Sequence, residues 1–166
     1  MFVLGIDPGL SRTGYAIVGS AAGRLAAVAA GVIRTTPSAP VATRLVELYA
    51  DLECLIEEYH PGEAAIEEVF VNRNLQTATA VGRASGVAIL AAARSGIRVH
   101  EYTPSAVKMA VAGYGDADKA QVQAMVARRL GLAAVPGPAD AADALAVALC
   151  HLQGAGLRRA LDEASR

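Results

Sequence analysis

Asp7 closes the apolar run Phe2-Val3-Leu4-Gly5-Ile6 near the start of this chain, and Pro8-Gly9 follows it. A carboxylate on the rim of a buried strand costs several kcal/mol unless a cation or a hydrogen-bond network compensates it. The same conflict recurs in two other segments. Glu67 and Glu68 stand in Ala64-Ala65-Ile66-Glu67-Glu68-Val69-Phe70, and Asp140 and Asp143 in Ala139-Asp140-Ala141-Ala142-Asp143-Ala144-Leu145-Ala146. A chain that folds these three segments into one core must bring four acids together. The economical solution is a shared divalent-metal site.

The hydrophobic periodicity places these segments on recognisable elements. Val3 to Ile6 reads as a strand, Tyr15 to Val18 as a second, and Leu25 to Arg34 as a third. The short turns between them favour an antiparallel meander. Leu45, Leu48, Leu52, Leu55 and Tyr59 then recur at helical spacing, with His60-Pro61-Gly62 as the stop. Ala64 to Phe70 is a fourth strand, Leu75 to Arg94 a second helix, and Ile97 to Tyr102 a fifth strand. Gly82 and Gly86 lie four apart on the second helix, a pattern that allows close approach of the sheet or of another subunit. Pro104 opens a short helix, Asp116 or Asp118 caps the next, and a last helix runs from near Ala139 to about Gln153. This order predicts an α/β fold, a mixed five-stranded sheet with helices on both faces. Residues 1–153 are expected to form one domain, and 154–166 a polar, flexible tail.

Composition narrows the class. The chain has 166 residues, 54% of them hydrophobic, which suits a single domain with a proper core. No apolar run approaches the ~20 residues of a membrane span, and no signal peptide is read at the N-terminus. Cys54 and Cys150 lack metal or redox spacing and read as buried hydrophobes of a reducing compartment. The expected location is the cytoplasm. A net charge of −1 hides an uneven distribution. Residues 44–68 hold eight acids against Arg44, whereas 71–135 hold eight bases, including Arg73, Lys108 and Lys119, against three acids. That asymmetry predicts a basic surface patch for a polyanionic partner; an ordinary solvated mixture of charges is the alternative.

Each acid has a plainer explanation when taken alone. Asp7-Pro8-Gly9 is a good tight turn, Asp140 could cap a helix, and Asp143 could favour its first turn. Glu67 and Glu68 point to opposite faces of their strand, so only one can join Asp7, and periodicity does not choose between them. Together, an all-carboxylate set selects a hard cation, Mg²⁺ or Mn²⁺, and suits a pair of ions acting on a phosphodiester. His60, His100 and His151 read as structural residues in separate contexts.

At this point the chain resembles the RuvC family of Holliday junction resolvases, nucleases of the ribonuclease H-like fold. The resemblance rests on Leu4 to Gly9 with Thr13-Gly14-Tyr15, on Ala65 to Phe70, and on Gly86-Val87-Ala88. It continues through Val107-Lys108, Lys119-Ala120-Gln121-Val122-Gln123 and Ala139 to Ala146, in family order over about residues 1–152. It implies that Glu67, rather than Glu68, joins Asp7, Asp140 and Asp143 as catalytic, metal-binding carboxylates. It further implies Mg²⁺, two ions per site with Mn²⁺ as a substitute, and a homodimer acting on four-way junction DNA. The RuvA–RuvB branch-migration complex is the implied partner. Phe70, Arg73, Lys108 and Lys119 are the expected DNA contacts, Phe70 by stacking on an unpaired base and the lysines near the scissile phosphate.

Three rivals remain on the sequence. Actin-like ATPases and sugar kinases share the Asp-x-Gly opening but need two lobes, and this chain supplies one. Ribonuclease H-like nucleases that process ribosomal RNA precursors lack the Ala139-to-Leu145 block. A junction-binding protein without catalysis would have no need of all four carboxylates.

Overall fold

The computed structural model describes residues 1–69, 75–134 and 137–164, with side chains described up to residue 155. Its five strands are β1 (Phe2–Asp7), β2 (Arg12–Ala21), β3 (Arg24–Arg34), β4 (Glu63–Glu67) and β5 (Arg98–Tyr102). They form one sheet in the order β3-β2-β1-β4-β5. The meander β1-β2-β3 is antiparallel, whereas β4 and β5 run parallel to β1, as the crossover helices require. Among the described residues five helices complete the fold: α1 (Val41–Tyr59), α2 (Leu75–Arg94), α3 (Pro104–Ala112), α4 (Lys119–Leu130) and α5 (Ala139–Ala164).

Alternation along the strands divides the core in two. Leu4, Ile6, Ile17, Ala64 and Ile66 face α1 and α2, packing on Leu48, Leu52, Ile56, Ala84 and Ala88. Val3, Ala16, Val18 and Ala65 face the other way, onto α5, with α3 and α4 outside it. Asp7 and Glu67 share strand parity with Val3 and Ala65, so they open on the α5 side. Ala141, Ala142 and every residue from Ala144 to Leu149 of α5 are almost fully buried. A helix apolar all round belongs inside, and α5 lies between the sheet and α3–α4.

Close packing of α5 depends on two glycines in the sheet. A Cβ at Gly5 would strike the carbonyl oxygen of Ala144, and one at Gly14 the carbonyl oxygen of Asp140. These bare positions let the first turns of α5 lie directly on β1 and β2. The glycine pair of α2, Gly82 and Gly86, behaves differently. Both glycines are exposed with nothing near the Cβ position, so the sheet is not their partner.

Other expectations are corrected by the packing. Cys54 is exposed, because Leu48, Leu52 and Ile56 take the inner face of α1 and leave Cys54 outside; Cys150 is buried. The final helix continues past Gln153 to Ala164 over a stretch rich in Ala, Leu and Arg, all good helix formers. His100 and His151, read as unrelated, meet with ring centroids 4.7 Å apart. The bases of residues 71–135 are split between faces, since Arg83 and Arg94 ride on α2 while Lys108, Lys119, Arg128 and Arg129 ride on α3 and α4. Arg94 lies over the ring of Tyr49 and Arg98 is bound to Glu63, so part of that charge serves internal contacts.

Candidate active site

β1 and β4 are parallel neighbours with Ile6 paired to Ile66, and their C-terminal ends therefore present Asp7 and Glu67 side by side. The carboxyl ends of parallel strands are where α/β sheets open to ligands. Asp7 also pairs with Gly14 on β2, and Gly14 is the position against which the Asp140 backbone rests. Asp140 and Asp143 thus reach the site from the first turn of α5. Asp118 caps α4 through a reciprocal capping box with Gln121, placing Lys119 at the helix start beside Asp143.

The loop after Asp7 is held from two sides. Thr13 Oγ1 donates to the Gly9 carbonyl at 2.7 Å and accepts from the Gly9 N–H at 3.3 Å. Thr35 Oγ1 donates to the Leu10 carbonyl at 2.6 Å and accepts from Arg44 Nε at 2.8 Å. Neither threonine was singled out from the sequence, although Thr13-Gly14 belongs to the matching motif. Arg12 was missed as well. It grips Asp140 Oδ2 through Nη2 at 2.6 Å and Nε at 2.8 Å.

Lys119 Nζ lies 2.6 Å from Asp143 Oδ2, and this contact raises the lysine pKa above its ordinary value. The two acids of α5 are therefore matched with cations, whereas the strand acids are less well compensated. Burial pushes Asp7 up to about 7, reinforced by the charges of Glu67, Asp143 and Asp140 and opposed by Lys119. Glu67 is also raised, first by burial and then by Asp143, although a hydrogen bond with Asp7 and the charges of Lys119 and Lys108 pull it down. Glu67 is thus the member of the glutamate pair that faces Asp7. Glu68 is tied to β5 by its backbone N–H, which donates to the Tyr102 carbonyl at 2.8 Å.

A cleft of about 270 Å³ opens beside these acids, lined by Glu67 and Asp143 with Lys108 and Lys119 among Pro104, Val107, Val122 and Ala146. It faces the carboxylates of β4 and α5 with the two ammonium groups of α3 and α4, the arrangement expected around a phosphate and its counter-cation. Phe70 and Arg73 lie outside the described residues. The donor set fits a hard divalent cation. It is all oxygen, and it holds two partly buried carboxylates whose proton affinity is raised by burial and then by neighbouring acids, a conflict that a cation relieves.

Residues 3–151 match the family model described as "Crossover junction endodeoxyribonuclease RuvC". A protein of that description from Pelotomaculum thermopropionicum is 54% identical over 151 residues, 91% of this chain and 92% of its own length. One from Syntrophomonas wolfei is 48% identical over 165 residues, covering 99% and 96%. The solved structure of Thermus thermophilus RuvC in complex with a Holliday junction substrate superposes with a TM-score of 0.89 at 37% identity. That match covers 95% of this chain and 96% of the other. The fold is thus ribonuclease H-like, and the chain belongs to the RuvC family of crossover junction endodeoxyribonucleases.

Proposed function

We propose that this protein cuts four-way DNA junctions by metal-dependent phosphodiester hydrolysis, in homologous recombination and DNA repair. The observation that carries the reading is the convergence of Asp7 and Glu67 with the α5 acids, at a cleft that also holds Lys108 and Lys119. Asp7, Glu67, Asp140 and Asp143 would hold Mg²⁺, two ions per site, with Mn²⁺ as a substitute. Held there, the ions would lower the pKa of water and draw charge from the phosphate oxygens.

The rest of the work falls to side chains of this chain. Asp7, whose pKa burial raises to about 7, is partly protonated at neutral pH and would give up that proton on binding a cation. Arg12 and Lys119 hold Asp140 and Asp143 in place until substrate and cation arrive. Lys108 and Lys119 engage the phosphate as point charges. Phe70 and Arg73, three and six residues beyond Glu67 in the chain, are assigned to the junction strands on sequence grounds.

Clean resolution needs two cuts on strands of like polarity, and the described residues of one chain carry one such cluster, which favours a two-fold homodimer. The exposed stripe Leu75, Thr79, Gly82, Gly86 and Leu90 on α2 supplies a small-residue, partly apolar face for the dyad. The RuvA–RuvB complex is assigned as partner and the cytoplasm as location. No helix among the described residues is long and apolar enough to cross a membrane. Residues 1–153 are taken as the nuclease domain, with 154–166 as an extension of it.

The test incubates the protein with a synthetic four-way junction, matched duplex and RNA–DNA hybrid, each with and without Mg²⁺. Paired, ligatable nicks are expected in the junction with Mg²⁺ alone. Asp7→Asn should bind the junction and not cut it. Undiminished cutting by that variant would overturn the assignment.

A further inference from the structure

At the end of β4 remote from Glu67, three side chains from three elements converge. Glu63 opens β4, His100 lies in the middle of β5, and His151 projects from α5. Glu63 Oε2 is 2.8 Å from His151 Nε2 and 3.1 Å from His100 Nε2. One donor atom from each residue lies within 4.8 Å of the others. His151 is fully buried, and the side chain of Glu63 is only 12% exposed. The side chain of His100 keeps 27% exposure, enough to give the cluster a path to solvent.

We propose that Glu63, His100 and His151 bind a borderline transition-metal ion, with Zn²⁺ the best fit. The site is distinct from the four carboxylates and does not rest on the nuclease reading. Two imidazoles and one carboxylate form a donor set that favours Zn²⁺ over Mg²⁺, which takes oxygen ligands. Tetrahedral zinc with bonds of about 2.0–2.1 Å holds its ligand atoms about 3.3 Å apart. The two nitrogen–oxygen separations need to open by only a few tenths of an ångström to meet that value. The approach of His100 is also unlike an ordinary ion pair. Its Nε2 is buried and makes no hydrogen bond among the described residues, although the carboxylate oxygen is 3.1 Å away. The direction of approach suits a ligand atom aimed at a shared point better than an N–H aimed at an acceptor.

The surroundings supply the outer contacts that such sites use. His151 Nδ1 lies 2.8 Å from the Tyr102 hydroxyl, so an Nδ1–H donated to the phenol oxygen leaves Nε2 as the ligating nitrogen. Arg98 Nη2 approaches the second Glu63 oxygen at 3.3 Å and orients the carboxylate. The β4–β5 register pairs His100 with Ala65, whose small side chain leaves the space that the imidazole and carboxylate occupy.

Glu63 and Glu67 stand at opposite ends of one strand, about 13 Å apart at the usual rise. Asp143 and His151 are separated by about 12 Å along α5. An ion at this place would tie the middle of α5 to β4 and β5, about two turns beyond Asp143, fixing the helix on the sheet.

The test uses the full chain, stripped with a chelator and returned to buffer containing excess Mg²⁺ so that the carboxylate site is occupied. Zn²⁺ is then titrated while bound metal and melting temperature are measured, with Co²⁺ as a spectroscopic substitute. One Zn²⁺ per chain, a higher melting temperature and a Co²⁺ spectrum of low coordination number are expected. His100→Ala, at a partly exposed position, and Glu63→Gln, of equal size, should each weaken Zn²⁺ by at least about tenfold. Asp7→Asn should retain it. Failure to hold Zn²⁺, equal affinity in His100→Ala and Glu63→Gln, or loss of Zn²⁺ in Asp7→Asn would each overturn the proposal. The first two outcomes would leave a histidine–glutamate charge cluster that holds no metal, and the third would place the ion among the carboxylates.

Discussion

Replacing Asp7 with asparagine should stabilise the protein in the absence of divalent cations. The Asp7 carboxyl titrates at about 7 in the folded chain, against an ordinary value of 3.8, chiefly because burial and three neighbouring acids oppose its charge. The folded state therefore keeps this proton over a range in which the unfolded chain has released it. As pH rises from about 4 to about 7, stability falls, and above about 7 the loss is constant because both states are ionised. At roughly 1.4 kcal/mol per pH unit, the gap amounts to ~4 kcal/mol, and relaxation of the acidic cluster reduces it to about 2–4 kcal/mol. Asparagine carries no charge at any pH, and its amide can still donate a hydrogen bond toward Glu67. For a domain of this size the expected gain at pH 8 is on the order of 5–15 °C in melting temperature. The assay is thermal unfolding with a chelator from pH 4 to 8.5. The advantage of the variant should be small at pH 4, grow to about pH 7 and then level off. Mg²⁺ should raise the melting temperature of the wild type and leave the variant nearly unchanged. A variant no more stable than wild type at pH 8, or an advantage that shrinks as pH rises, would refute the electrostatic reasoning.

Two further outcomes are expected. Gly14→Ala puts a methyl group against the Asp140 carbonyl oxygen, so it should lower stability by about 1–3 kcal/mol in urea unfolding and reduce junction cleavage by displacing the start of α5. Gly86→Glu sits on the open face of α2 with nothing near its Cβ position. It should leave the fold intact by circular dichroism, yet yield monomers by sedimentation that nick a single strand.

Residue pattern carried the architecture because the strands and helices here are strongly periodic and bounded by clear stops. Leu75–Arg94 and the start at Pro104 agree between sequence and structure, and the capping box at Asp118 resolves the choice with Asp116. The four acids were legible for a different reason. A carboxylate in an apolar frame is anomalous wherever it falls in the fold, so Asp7, Asp140, Asp143 and the pair Glu67–Glu68 stand out without knowing which strands are neighbours, and the family resemblance chooses Glu67 from the pair. Their supporting contacts had no such mark. Arg12 is an ordinary arginine until the sheet sets β2 beneath α5, and it finds Asp140 only across 128 residues of sequence.

The same limit explains why Cys54 is misread as buried and why the meeting of His100 with His151 is not foreseen. Helical spacing distinguishes an inner from an outer face only when the apolar stripe is narrow, and α1 carries enough apolar residues to make Cys54 ambiguous. For the histidines no local signal exists. His100 stands on a strand and His151 on a helix, and neither has the short repeat spacing of a metal motif. What unites them is Glu63, which the sequence shows as one more member of an acidic stretch. A charge run is usually a solvated face, yet the strand start turns Glu63 inward while Glu57 and Glu58 on α1 remain exposed. Strand parity then decides the rest: Glu63 and Glu67 are four residues apart on one strand, so both must face α5. A chain that directs Glu67 toward the α5 acids therefore also directs Glu63 toward the middle of the same helix, where His151 meets it.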